Sequence, residues 1–265
     1  MATVIRPKGK RVYGRAATAR QWAASYLTSS VGNKFTVAVT GLLLVGFLVG
    51  HLIGNLKMFH GPDSINKYAH FLKHDLGILI WVARAGLLAV FVLHIAINLQ
   101  LKWRANAARP VKYAWRTRVA QATISSRTML LTGLVILAFT IFHLAHYTFG
   151  AVHEAVHADG TVENYLQMQR NGRHDVYGMV VAGFRTWWVS TLYIVAQLVL
   201  FLHLNHGIQS SVQTLGLVGR RFHPFAKLAG MGLAGLIVGG NILIVVAVWT
   251  GTIPPVQTTT GGPKP

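Results

Sequence analysis

Residues 185–207 read RTWWVSTLYIVAQLVLFLHLNHG, an apolar run without an acidic residue that is long enough to cross a bilayer as a helix. His203 and His206 lie three residues apart near its carboxyl end. Histidine is costly in hydrocarbon, so a histidine at this depth predicts a functional site with a partner on another helix. That partner must come from the other apolar segments of the chain.

The composition favours an integral membrane protein, since 52% of the 265 residues are hydrophobic and only 12% are charged. There is no cysteine, so any centre built on thiolates would need its sulfur ligands from another chain. The 13 histidines are the metal ligands present in quantity. The net charge of +19 comes from residues that flank the apolar runs, where topology and contacts with anionic lipid or a partner explain it, and nucleic acid is not an expected partner.

Five apolar segments have the length of about 20 residues that a bilayer requires. The sequence predicts an all-α integral membrane protein with a transmembrane domain over 34–250, in which spans one to four form a bundle and the fifth is peripheral. Residues 1–33 form a basic cytoplasmic arm without a signal peptide, and 251–265 a flexible outer tail. The predicted spans are 34–56, 76–101, 128–149, 186–209 and 228–250.

The distribution of charge predicts the orientation. The arm through Lys34 holds seven Lys and Arg residues, the connection from Lys102 to Arg127 holds seven, and the connection after span four holds three, out of 25 in the chain. All six acidic residues fall in the other connections. Because Lys and Arg accumulate on the cytoplasmic side, the N-terminus is expected inside and the C-terminus outside.

With this orientation, the position of a histidine along its span gives its depth in the membrane. Span one runs outward and places His51 about 8 Å below its outer end, and span two runs inward and places His94 about 10 Å above its inner end. Spans three and four repeat these two depths. The histidines therefore form an outer layer from spans one and three and an inner layer from spans two and four, consisting of His51, His143 and His146 (outer) and His94, His203 and His206 (inner).

Two histidines facing each other across a helical bundle are the ligand set of a b-type haem. Gly41, Gly46 and Gly50 on span one and Gly133 on span three leave room for a flat macrocycle, although small residues also serve ordinary helix packing. A single membrane histidine can instead bond to a backbone carbonyl.

Each doublet, His143/His146 and His203/His206, needs to supply only one axial ligand. The greater depth of His143 and His203 slightly favours those two. The other histidine of each doublet could bond a haem propionate, orient its neighbour or face a quinone.

Four segments of the chain are distinctive when taken together: SSVGNKFTVAVTGLLLVGFLVGHLIGNLKMFHG, NKYAHFLK, SRTMLLTGLVILAFTIFHLAHYTFG and LYIVAQLVLFLHLNHGIQSSVQTLG. They resemble the five-helix membrane anchor, or cytochrome b subunit, of succinate dehydrogenase and fumarate reductase. The resemblance extends from about Ser29 to Gly216.

The resemblance implies a multi-pass subunit of the bacterial inner membrane in respiratory complex II. A flavoprotein would oxidise succinate, and an iron–sulfur subunit would pass the electrons into this chain for delivery to a quinone, expected to be menaquinone. In dihaem members one haem is held by spans one and three and the other by spans two and four, which carries over to His51 with His143, and to His94 with His203 or His206. The complex could assemble into a higher oligomer.

Other interpretations stay open at this point. Some anchors of the wider superfamily lack haem, so the chain could carry only a quinone site, or an iron–sulfur or other metal centre on the same histidines with further ligands from elsewhere. It could also be the dihaem cytochrome b of another dehydrogenase or reductase. A transporter is disfavoured because no inverted repeat or broken span is recognisable.

Residues near both membrane faces are candidates for quinone binding. On the inner side they are Ser29, Ser30 and Lys34, with Trp22 and Tyr26 as aromatic walls, although a helix cap with a snorkelling lysine explains the first three equally well.

On the outer side His74 and Asp75 are the quinone candidates, against the alternative that Asp75 stabilises a helix N-terminus. Arg84, inside span two, is proposed to pair with an outer haem propionate, and Arg127 to serve the inner haem or topology alone. The connection 152–185 is expected to contain a short helix, and its His153, His157 and His174 only weakly suggest zinc.

Overall fold

The computed structural model describes residues 18, 25–26, 29–108, 124–156 and 161–255. Within these ranges the chain is helical apart from two short hairpins in one connection. Five helices are long and apolar enough to cross a membrane: Ser30–His60, Ile78–Ala107, Ile124–Thr148, Trp187–Thr214 and His223–Trp249. The predicted all-α fold with five spans is confirmed, and it is compatible with a multi-pass membrane protein.

The helices of the spans are α1 (Ser30–Asn55, extended by a 3-10 turn Leu56–His60), α3 (Ile78–Ala107), α4 (Ile124–His143, extended by a π turn Leu144–Thr148), α6 (Trp187–Thr214) and α7 (His223–Trp249). Each overlaps one predicted span. Two short helices, α2 (Pro62–His70) and α5 (Val176–Arg185), lie in the connections after spans one and three. Most of the arm, the connection 109–123, residues 157–160 and the tail from 256 lie outside the described residues.

Span four is the centre of the bundle. Helix α6 packs against α1, α4 and α7, and α3 packs against α1. Span five packs on the outside of spans four and one, where Gly230 and Ala234 allow a close approach to α6. Span two is exposed along nearly its whole length, and Ile97 is its one buried residue. A lipid-facing helix of this kind needs apolar side chains all round, as its sequence provides.

The connection 149–186 folds back over the end of the bundle where spans one and three end, which is the predicted outer end and is called the outer end below. It contains two antiparallel hairpins, β1 (Glu154–Val156) with β2 (Val162–Asn164) and β3 (Gln169–Arg170) with β4 (Arg173–His174), followed by α5. The short helix expected there is present, and the hairpins were not predicted. Tyr165 and Met179 are buried where the hairpins meet α5.

Asp175 fastens this loop to the connection between spans one and two. It caps α5 by accepting from Gly178 N at 3.1 Å, accepts from the side-chain amide of Asn66 at 2.8 Å and pairs with Arg170 at 3.2 Å. Asn66 in turn accepts from the backbone N–H of Tyr177 at 3.0 Å. Asp175 is 5% exposed and Asn66 4%, so each polar group depends on the others for its hydrogen bonds.

Candidate redox-centre sites

The structure places the membrane histidines in two groups. His51 of span one and His143 of span three lie together near the outer end, with ring centroids 5.8 Å apart and ring planes at 87°. Two imidazoles bound on opposite sides of one metal ion, at about 2.0 Å from each nitrogen, would have centroids roughly 6 Å apart. The outer pair is therefore spaced as two axial ligands of one metal would be.

The inner group joins His94 of span two to His203 of span four, which are close enough to interact electrostatically. Each ring is held by a threonine from a different helix. Nδ1 of His94 lies 3.1 Å from the hydroxyl of Thr40, and Nδ1 of His203 lies 3.1 Å from the hydroxyl of Thr132. Both imidazoles thus have Nδ1 engaged, and no hydrogen bond to either Nε2 atom is found among the described residues.

Glycines stand beside both inner rings. A Cβ atom placed on Gly41 would lie 3.2 Å from Cε1 of His94, and one on Gly133 would lie 3.4 Å from Cε1 of His203. A Cβ atom placed on Gly46 or Gly50, the other two predicted glycines, would meet no atom of another helix within 4 Å in the described part of the chain. Two of the four glycines thus make room for histidine rings, and two face open space.

The doublets are not equivalent in their contacts. His143 and His146 both direct Nδ1 at the hydroxyl of Tyr193, at 3.1 and 3.0 Å. Only His143 contacts His51, whereas His146 is fully buried against Tyr147, with ring centroids 4.0 Å apart. Nε2 of His146 has no hydrogen-bond partner within the described part of the chain.

In the inner doublet, His203 has the hydroxyl contact with Thr132. For His206, by contrast, no hydrogen bond is found among the described residues, and its ring is half-buried. His203 therefore differs from His206 both in its predicted depth and in its hydrogen bonding, and both differences favour His203 as the ligand.

The outer pair is enclosed by aromatic side chains. Phe47 stacks on His51 and Phe139 on His143, with centroids 5.6 and 6.0 Å apart. Tyr193, 6% exposed, lies against Phe139 at 5.0 Å. Such a lining excludes water and lowers the local dielectric, conditions that tune a redox centre.

Several predicted site residues lie away from these groups. Arg84 is exposed and its guanidinium lies over the ring of Trp81, 5.0 Å from the centroid. Burial, and next the charge of Arg84, lower the pKa of Lys73, so two cations share the outer end of span two. Arg127 is exposed in the first turn of span three. The roles predicted for Arg84 and Arg127 remain predictions.

The inner quinone candidates lie at the start of span one. Ser29 is the N-cap of α1: it accepts from Gly32 N at 2.9 Å and donates to the carbonyl of Tyr26 at 2.9 Å. Ser30 and Lys34 are exposed in the following turns. Ser29 therefore has the capping role that the sequence left open, whereas Trp22 lies outside the described residues.

The outer quinone candidates, His74 and Asp75, lie in a π turn before span two and are exposed. His74 stacks on His70 with centroids 4.5 Å apart.

The loop histidines are engaged with the loop itself. Nδ1 of His153 bonds the hydroxyl of Tyr165 at 2.6 Å, and Nε2 of His174 donates to the carbonyl of Tyr165 at 2.9 Å. Burial lowers the pKa of His153, against the opposing charge of Glu154, and burial raises that of Tyr165. His157 is outside the described residues. No cluster of three His, Asp or Glu side chains suited to a metal ion occurs in the part of the chain described here, which leaves the zinc interpretation without support.

Residues missed in the sequence are the hydroxyls of Thr40, Thr132 and Tyr193. A signal for the first two exists, since spans one and three repeat a Thr-Gly-Leu sequence at 40–42 and 132–134, and each threonine lies eleven residues before the histidine, His51 or His143, of its own span. Tyr193 carries no such signal, because tyrosine is common near membrane interfaces.

No family model, curated protein or solved structure matches this chain.

Proposed function

We propose that this chain is the membrane anchor and electron-transfer subunit of a succinate:quinone oxidoreductase in the bacterial inner membrane. It would take electrons from an iron–sulfur subunit, itself reduced by a flavoprotein, and deliver them to a membrane quinone, menaquinone by expectation. The observation that carries the proposal is the pairing of histidines by layer: the rings of His51 and His143 lie 5.8 Å apart, and His94 and His203 are close enough to interact electrostatically.

The residues at both layers fit a bis-histidine haem b. The inner pair leaves both Nε2 atoms unengaged while Nδ1 is hydrogen-bonded, as is usual for a metal-bound imidazole. His51 and His143 would hold the outer group, and His94 and His203 the inner one. When bound, each haem supplies reversible one-electron transfer. The chain's own contribution is to orient the rings and to surround them with apolar helices that keep water away.

Cationic side chains toward each end of the bundle would suit the carboxylates of a haem or the charge of a reduced quinone. At the outer end, Arg84 and Lys73 are within electrostatic reach of each other. At the inner end, Ser30 and Lys34 are exposed at the start of span one, the end from which the iron–sulfur subunit would approach. A quinone near these residues could receive protons from water at the membrane surface.

The test is a dithionite-reduced minus oxidised optical spectrum of the purified complex, with a pyridine haemochrome count per copy of this chain. Two b haems are expected, together with a flavoprotein and an iron–sulfur protein in the same preparation. Reduction of the haems by succinate would show that the chain receives electrons that originate at the flavoprotein.

Two other results would redirect the proposal. A haem-free complex that still reduces quinone would contradict the haem assignment and keep the anchor function, and iron and labile sulfide should then be measured. Copurification of a different dehydrogenase, with two haems present, would instead contradict the assignment to succinate oxidation.

A further inference from the structure

We propose that three hydroxyl groups, on spans one, three and four, are positioning residues that fix the tautomers of the ligand histidines. They belong to Thr40, Thr132 and Tyr193. Each holds Nδ1 of an imidazole as the protonated nitrogen and so leaves Nε2 as the electron-pair donor to a redox metal. The proposal rests on the function proposed above and adds residues that bind no cofactor themselves.

The first case is Thr40, because a threonine hydroxyl has a single proton to donate. The Oγ1 atom lies 2.8 Å from the carbonyl of Thr36 and 3.1 Å from that of Val37, so the proton is directed back along its own helix. With its proton on one of these carbonyls, the hydroxyl accepts from His94. We therefore assign the contact of 3.1 Å as Nδ1–H donating to Thr40, which leaves the lone pair on Nε2.

Span three repeats this arrangement. The hydroxyl of Thr132 is 3.1 Å from the carbonyls of both Thr128 and Met129, and 3.1 Å from Nδ1 of His203. Glycine follows the threonine in both spans and leaves the space that each ring occupies. Spans one and three thus present the same Thr-Gly pair to the histidines of spans two and four.

The outer layer uses a tyrosine that serves two rings at once. Nδ1 of His143 and Nδ1 of His146 both lie within 3.1 Å of the Tyr193 hydroxyl, which has one proton. It can donate to only one of the two rings, and the assignment that uses this proton has the hydroxyl donate to one ring and accept from the other, with opposite tautomers of the two neutral histidines. Because only His143 faces His51, we assign the acceptor role toward His143 and the donor role toward His146.

The ordinary alternative is that these bonds are membrane packing contacts without effect on a metal. Threonines in membrane helices often bond to a carbonyl one turn back, as Thr36 and Thr140 do here, to Gly32 and Ile136. What separates Thr40 and Thr132 from them is the third contact, in both cases with the same ring nitrogen. Thr36 and Thr140 therefore serve as matched controls.

The experiment is solid-state ¹⁵N spectroscopy of the histidine-labelled complex in lipid, in the reduced and diamagnetic state, for Thr40→Val, Thr132→Val and Tyr193→Phe. Each variant should change the Nδ1 signal of its own histidine. Thr36→Val, Thr140→Val and Tyr147→Phe should change none, since the hydroxyl of Tyr147 has no hydrogen-bond partner among the described residues. Thr40→Ser should restore the original signal and so separate loss of the hydroxyl from misfolding.

A second readout is retention of haem. Loss of a bond to the outer nitrogen of a ligand histidine lowers metal affinity roughly 10–100-fold. The affected haem should also become easier to reduce, because an imidazole without this bond is a weaker electron donor.

Unchanged spectra and retention in all three variants would overturn the proposal. If the wild-type complex contains no haem, the haem assignment fails. The ¹⁵N spectra would then still decide whether the hydroxyls fix the tautomers.

Discussion

The inner and outer histidine layers contain the same ligand type but are built differently. The inner rings are held by Thr40 and Thr132, each with a glycine next to it, and His94 is carried by a helix that is exposed along its length. In the outer layer, His143 shares the hydroxyl of Tyr193 with a buried neighbour. The inner layer is defined by the spans alone, whereas the outer layer also has a folded loop above it.

The two layers differ in how far apart along the chain the residues that position the histidines lie. A Thr-Gly pair on one helix and a histidine on the next require only that the spans pack in register. The outer site also rests on hydrogen bonds between segments more than 100 residues apart, since Asn66 of one connection binds Asp175 of another. We therefore expect changes in the loop to affect the outer layer and to spare the inner one.

The largest effect is expected from removing one ligand of each layer. Under the proposed function, His94→Ala should abolish one of two b haems and leave the other, and His51→Ala should do the reverse. Low-temperature optical spectra of the two variants check this. Loss of both haems in either variant would show that the layers depend on each other.

Asp175→Ala tests the dependence of the outer layer on the loop. It leaves the buried amide of Asn66 without its acceptor and the partly exposed Arg170 without its partner, and an unsatisfied buried polar group costs about 1–3 kcal/mol. Thermal unfolding in detergent should show a destabilised chain, and the spectrum should show a weakened outer haem beside an intact inner one. Asp63→Ala removes the same charge from an exposed helix start and should cost below about 1 kcal/mol. An unaffected outer haem would contradict the role given to the loop.

Gly41→Ala is the corresponding change at the inner layer. The new methyl group would lie 3.2 Å from His94, tighter than normal contact, and overpacking of this kind costs roughly 1–3 kcal/mol. Gly133→Ala, with 3.4 Å to His203, should have a smaller effect. Haem occupancy measured in both variants shows which substitution has the larger effect. Gly232→Ala, on span five and in open space, is the control. A larger effect at Gly133 would show that spans three and four are packed more tightly than spans one and two.

The smallest effect is a pH dependence confined to the loop. Burial, and next the charge of Lys73, lower the pKa of His174 in the folded chain, against smaller contributions from the Tyr165 carbonyl and Asp175. The unfolded loop then binds more protons as the pH falls below about 6.5, so the stability present above that pH is lost on acidification. Amide exchange in 161–186, corrected for its intrinsic pH dependence, should rise between pH 7.5 and 5 by less than a factor of about ten. His174→Gln should flatten this rise, and an equally steep rise in that variant would assign it elsewhere.

The sequence predicted the fold class because the requirement for about 20 apolar residues in each span leaves little choice. It also grouped His51 with the doublet His143/His146 and His94 with the doublet His203/His206, since depth depends only on position along a straight helix. It did not predict Tyr193 or the hydroxyl contacts, because rotation of one helix about its axis relative to another depends on packing.

The loop shows where prediction from sequence ended. Its hairpins are only two or three residues long, too short for an alternating pattern to stand out. Asp175 appeared as one acidic residue near a span start, and nothing local reveals its partner Asn66, which is 109 positions earlier. Long-range polar contacts of this kind become visible only in three dimensions.

The π turn at Leu144–Thr148 makes the outer doublet depend on the length of the chain as well as on its residues. A π turn accommodates one residue more than an α-helix of the same rise. Deleting Leu144 or Ala145 would return the end of the helix to regular winding and reduce the spacing of the two histidines from three residues to two, which changes the direction of one ring relative to the other. Since His143 precedes the turn and His146 lies within it, such a deletion could keep both histidines and still remove one from Tyr193. Gaps in this segment among homologues would then be as informative as substitutions.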